Sequence, residues 1–148
     1  MDSRHLLPLA ALALAIASLG PWAHGTFVEQ PIFGEEQATS RTVMGWEAGG
    51  TLLAALALAI AVAAWVAPAA RASRLAILGA LVGTAVGLAL ALSNDGLSMS
   101  LVYFHVFAEW RDVRLGAGLI VACVAWLVAA GVWFVREVPP FDADAESG

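Results

Sequence analysis

The sequence predicts an all-α membrane protein: an antiparallel four-helix transmembrane bundle carrying a small extracytoplasmic β-hairpin or three-stranded sheet. Three observations lead there. Four apolar runs, residues 6–23, 49–68, 75–93 and 115–135, contain no Asp, Glu, Lys or Arg. The last three approach the roughly 20 residues that a helix needs to cross a hydrocarbon core about 30 Å thick. The composition, 61% hydrophobic with a mean hydropathy of +0.83 over 148 residues, exceeds what a soluble fold of this size carries. In lipid each run has to close its own backbone hydrogen bonds, so helix is the expected state.

The first run, 6–23, has two readings. Arg4 and His5 before it, with Pro21 and small residues at 23–25 after it, imitate a cleaved signal peptide. Bulky Trp22 and His24 near any cut favour a retained span, in which Pro8 sits in the first helical turn.

The connection 69–74 is short and carries Arg71 and Arg74 without an acid, which assigns it to the cytoplasm. Both termini then lie inside, and residues 24–48 and 94–114 form outer loops. The tryptophans agree with an up-down-up-down course, with Trp22, Trp46 and Trp110 at one membrane face and Trp65 and Trp133 at the other. Residues 1–138 thus make one transmembrane domain. The acidic stretch 139–148, with paired prolines and little apolar content, reads as a disordered cytoplasmic tail.

In the first outer loop, residues 26–33 and 39–44 are rich in Thr, Val, Ile and Phe and flank Gly34, Glu35 and Glu36, a hairpin pattern. In the second, residues 97–107 (LSMSLVYFHVF) alternate and are dense in aromatics. They read as a third strand on that hairpin or as an interfacial helix; periodicity does not separate the two.

Within the spans the clearest packing pattern is Gly79, Gly83 and Gly87, small residues at every fourth position that let a neighbouring backbone approach closely. Intramolecular packing and a homo-oligomer seam both use such a stripe. Trp126 is expected to pack and to share its N–H with a carbonyl. No ionised side chain marks an ion path through any run. Glu47 and Asp112 stand near helix amino ends, where the macrodipole favours negative charge. Cys123 lies in an apolar run with no partner for an internal disulfide.

His24 and His105, with Glu47 and Glu109, fall on the outer side, but no metal-ligand spacing is present, so they read as hydrogen-bonding interfacial residues. No cofactor, metal or catalytic residue is expected. The net charge of −5, with seven Arg and no Lys, leaves no polybasic patch for nucleic acid. High Ala and Arg content with acidic loops suggests a GC-rich, salt-adapted prokaryote.

Pro21-Trp22 closing the first run, Gly45-Trp46 opening the second and the basic turn at Arg71 and Arg74 resemble small four-span proteins of prokaryotes. In outline the chain is similar to the tryptophan-associated transmembrane proteins of actinobacteria, a resemblance that implies no activity. It also resembles the claudin-type plan, without the paired loop cysteines. That plan implies four helices carrying a small extracellular sheet, with an aromatic loop making contacts.

The expected function is therefore non-enzymatic: a scaffold or accessory subunit with an outer interaction surface at Trp46, Tyr103, Phe107 and Trp110. Its partners would be the lipid bilayer and a membrane protein or a second copy. The competing expectation is a small redox or transport component, quinone- or haem-associated, using Trp126, His24 or His105.

Overall fold

The first helix, α1 (Leu6–Leu19), stops where Gly20 turns extended and Pro21 follows. Proline disfavours helical backbone in the residue before it and takes the first position of a strand without losing a ladder hydrogen bond that matters. In the computed structural model, which describes residues 5–29, 37–66, 70–93 and 108–137, the chain passes directly from α1 into β1 (Pro21–Glu29). There follow β2 (Gln37–Met44), a 3-10 turn (Gly45–Glu47), α2 (Gly50–Val66), α3 (Arg71–Leu92), β3 (Ala108–Leu115) and α4 (Ala117–Glu137). The molecule is mostly helical and carries one small three-stranded antiparallel sheet, of order β2-β1-β3.

Several expected boundaries move. The first apolar run is helical only to Leu19, because residues 21–23 are drawn into pairing with β2 and β3. The hairpin starts five residues earlier than its β-rich composition indicated, at Pro21 instead of residue 26. The strand that joins it is Ala108–Leu115, and the stretch 97–107, read as a third strand or an interfacial helix, lies outside the described residues, as does the tail 139–148. Helix α3 takes in Arg71 and Arg74, and α4 runs on to Glu137.

Each helix neighbours two others: α1 lies between α2 and α4, and α3 also contacts both of these. Alanines make the closest contacts, with Ala11, Ala57, Ala122 and Ala129 fully buried. Small side chains let helix backbones approach, and van der Waals packing then holds them. Gly87 lies against Leu53 and Gly83 against Leu56, both on α2, whereas a side chain at Gly79 would meet open space. Ser18 and Thr84, the buried hydroxyls, donate within their own helices, Ser18 to the Leu14 carbonyl at 2.7 Å and Thr84 to Ala80 and Leu81 at 2.9 Å.

The outward surface of the helices is apolar. Ile16 of α1 is 74% exposed, Leu52 of α2 66%, Leu90 of α3 60% and Leu127 of α4 62%. Two helices, α3 and α4, are long and apolar enough to cross a membrane.

The sheet sits at the end where α1 finishes and α2 and α4 begin. Its junction with the helices depends on absent side chains. A Cβ on Gly45 would overlap the Ser18 carbonyl oxygen and the Trp22 indole, and one on Gly116 would overlap the Pro21 carbonyl. The same glycines extend the ladder, Gly45 N–H donating to Gly20 O at 2.6 Å and Gly116 N–H to Trp22 O at 2.7 Å.

Candidate interaction surface

Trp46 occupies the centre of the 3-10 turn that links β2 to α2 and is 55% exposed. The turn is held from below: the Met44 N–H donates to the Glu47 carboxylate at 3.0 Å, and Arg41 pairs with the same carboxylate at 3.4 Å. Glu47 thus satisfies an orphan donor at a helical start, which is what an acid there does. Trp22, by contrast, is buried, and its indole N–H has no hydrogen-bond partner among the described residues.

Trp110 lies in β3 opposite Phe27 of β1, and Glu109 lies opposite Val28. Tyr103, Phe107 and His105 lie outside the described residues. Two of the four residues expected to form the surface, Trp46 and Trp110, are therefore placed, on the turn and the sheet respectively.

On β1, Ala23 and Val28 are buried although they lie on opposite faces, and His24 is exposed. Ala23 and Val43 are cross-strand partners, buried together toward the helices. On the opposite face His24 stands between Thr42 and Arg114, and one row along Thr26 stands between Ser40 and Arg111. Residues directly opposite in neighbouring strands share a face. His24, Ser40, Thr42 and Arg114 are exposed, and His24 Nδ1 is hydrogen-bonded to Thr42 Oγ1 at 2.8 Å.

Between those rows β3 places two residues, Asp112 and Val113, against one of β1. Asp112 adopts φ 55°, left-handed for a residue with a side chain. This is a β-bulge, and such bulges re-aim the strand beyond them. On either side of this step Arg114 pairs with His24 and Arg111 with Thr26. Asp112 is therefore a bulge residue of β3, five positions before Ala117 and so near α4 but outside its first turn.

The sequence did not mark this row of His24, Thr42 and Arg114. Alternation is its natural signal, and the bulge erases alternation in AEWRDVRL.

Away from the sheet, Trp126 donates its indole N–H to the Leu81 carbonyl, and Cys123 is a half-buried free thiol. Among the described residues no three His, Cys, Asp or Glu side chains converge as a metal site. At the far end of the helices His5 and Trp65 are in ring contact with centroids 6.1 Å apart, and Arg74 pairs with Glu137 at 3.2 Å.

No protein-family model, curated protein or solved structure matches this chain.

Proposed function

We propose that this chain is a multi-pass integral membrane protein that crosses the bilayer four times and acts by binding rather than by catalysis. The observation that carries the reading is the apolar exposure on the outward faces of all four helices, set against exposed polar residues on the sheet, among them His24, Ser40, Arg41, Thr42 and Arg114. Exposed apolar surface of that extent is stable in lipid and aggregates in water. The helices α1 and α2, of 14 and 17 residues, rise about 21 and 26 Å. Trp22, Ala23 and Val43 of the adjoining strands carry the apolar zone beyond α1, so the height supports a span.

In this reading the end bearing Arg71, Arg74, Arg136 and Trp65 is cytoplasmic, by the positive-inside rule, and the sheet is extracytoplasmic. Trp46, presented on a turn braced by Glu47, and Trp110 on β3 form the docking surface, together with the segment containing Tyr103 and Phe107. Large aromatic side chains held on rigid elements are the usual anchors of an interface. The occupant is a membrane-protein partner or a second copy of the chain. The architecture proposed is that of the small prokaryotic four-span proteins, with an outer sheet as in the claudin plan.

Two measurements test this. In a Cys123→Ala background, Ser40→Cys should react with an impermeant thiol reagent outside sealed cells, and Ser73→Cys only after permeabilisation. Labelling of both from the same side would end the four-span topology. Alanine at Trp46, Tyr103 and Trp110 should remove a cross-linked dimer or partner complex while leaving insertion intact; an unchanged complex would end the docking surface.

A further inference from the structure

The two edges of the sheet differ in their main chain. The Gly116 N–H donates to the Trp22 carbonyl, so that carbonyl faces β3 and, across the same planar peptide, the Ala23 N–H faces β2. Along an antiparallel strand successive residues turn their N–H and C=O groups to alternate sides. Ala23 and Gly25 therefore bond to Val43 and Arg41, and on β2 the main-chain groups of Ala38, Ser40 and Thr42 are turned to the outer edge. The 2.8 Å bond between His24 Nδ1 and Thr42 Oγ1 agrees, because opposed residues that exchange no main-chain hydrogen bonds stand closest.

Among the described residues no strand lies beyond β2, and Ala38, Thr39, Ser40, Arg41 and Thr42 are all exposed. Proteins blunt an open edge with proline, lysine or a bulge. The edge at β3 is blunted: its register shifts beside Asp112, whose φ of 55° interrupts the ladder. By contrast β2 has no proline, no lysine and an unbroken register from Val43 to Gln37. Its one charged residue, Arg41, is paired with Glu47.

We propose that β2 pairs main chain to main chain with β2 of a second copy, antiparallel and centred on Ser40, joining two three-stranded sheets into one. This deepens the docking reading above and rests on the sheet being an interaction surface. With Ser40 opposite the partner's Ser40 and Ala38 opposite the partner's Thr42, the outward residues exchange about six hydrogen bonds, because each such pair bonds twice. The same register sets Arg41 opposite the partner's Thr39, so no like charges stand directly opposed. The occupant is a second copy because the strand complements itself. Trp46, exposed on the turn where β2 ends, also carries the edge into the docking surface without a break. With β3 closed, the pairing is isologous and stops at two copies, whereas two open edges would permit an open-ended chain.

The test uses the full chain, with its mass in detergent measured by light scattering and its contacts in cell membranes by disulfide formation. A dimer is expected. In a Cys123→Ala background, Ser40→Cys should give a disulfide-linked dimer on mild oxidation. Ala38→Cys should not, because its two copies would lie roughly 14 Å apart, beyond the reach of a disulfide. Ser40→Pro removes an outward donor that the fold of one copy does not use, and it should give a monomer of unchanged helix content. Ser40→Thr should dimerise like the parent. Ser40→Lys leaves the fold of one copy intact and should weaken the dimer by setting like charges face to face, which keeps the test decisive if the proline variant misfolds. A monomeric parent, equal disulfide yields at positions 38 and 40, or an undiminished dimer in Ser40→Lys and in folded Ser40→Pro overturns the inference. If that undiminished dimer were lost on Trp46→Ala, the edge pairing would fall and the aromatic docking surface would stand.

Discussion

The indole N–H of Trp126 on α4 donates to the main-chain carbonyl of Leu81 on α3 at 3.0 Å. The same carbonyl receives the Thr84 hydroxyl at 2.9 Å, so it serves two side-chain donors in an apolar surrounding. The seam between α3 and α4 is the least extensive of the four helix pairings, which makes this bond a larger share of what joins them. Trp126→Phe keeps the aromatic volume and removes the donor. It should lower stability in detergent by about 0.6 kcal/mol, the average for side-chain hydrogen bonds between helices in lipid, and by no more than about 1.7 kcal/mol. A denaturant midpoint equal to the parent's would show that the bond contributes nothing net.

Glycines at the helix and sheet contacts should respond to alanine in a graded order. Gly45→Ala has no room, because main chain and a buried indole occupy the space, and a loss of about 3 kcal/mol or more is expected. Gly87→Ala meets only the Leu53 side chain, so its smaller loss should be relieved in the double variant with Leu53→Ala. Gly79→Ala faces open space and should gain up to about 1 kcal/mol from helix propensity. If Gly79→Ala instead dissociated an oligomer, the outward position would be part of a seam between copies.

That series also shows what could be read in the sequence. The charge-free runs announced helices, and Gly34, Glu35 and Glu36 announced a hairpin, because both patterns depend on local composition. The register of glycines at 79, 83 and 87 defined a stripe but not its neighbours, and Leu53 and Leu56 on α2 decide which glycines are filled. The end of α1 was hidden because Trp22 and Ala23 prolong the apolar run past Gly20 and Pro21, and hydropathy does not register a change of backbone. The third strand was hidden by its own bulge. Two residues at one pairing step break the period of two, so AEWRDVRL looks irregular although it forms a sheet edge. Asp112 shows the same limit: an acid shortly before a helix reads as a partner for the macrodipole, whereas the left-handed φ that defines its role leaves no trace in composition.

Asp112→Gly should therefore stabilise the protein. The left-handed region costs an L-residue about 1 kcal/mol or more, and glycine adopts it freely, less the entropy that glycine loses on ordering. A gain of about 0.5 to 1 kcal/mol is expected in denaturant unfolding. Asp112→Val should lose more than that, because a β-branched side chain tolerates φ 55° least. If the valine variant were as stable as the glycine one, the bulge backbone would have to relax to negative φ.

The ion pair between Arg74 and Glu137 joins two residues that each occupy the unfavourable end of a helix. Arg74 is in the first turn of α3, which carries no acid, and Glu137 is the last residue of α4. The macrodipole places partial positive charge at the first and partial negative charge at the second, so each side chain is opposed by its own helix. Both groups are substantially exposed, which limits their mutual attraction to under about 1 kcal/mol. Neutralising either one removes the pair and a dipole penalty together, and Arg74→Gln and Glu137→Gln should each be close to neutral. Exchanging them, Arg74→Glu with Glu137→Arg, keeps the attraction and turns both dipole terms favourable. The exchanged protein should exceed the parent in stability by about 1 kcal/mol at low ionic strength, with the gain shrinking as salt is added. An exchanged protein less stable than the parent would mean that this end requires its arginines on α3 for a reason other than the pair.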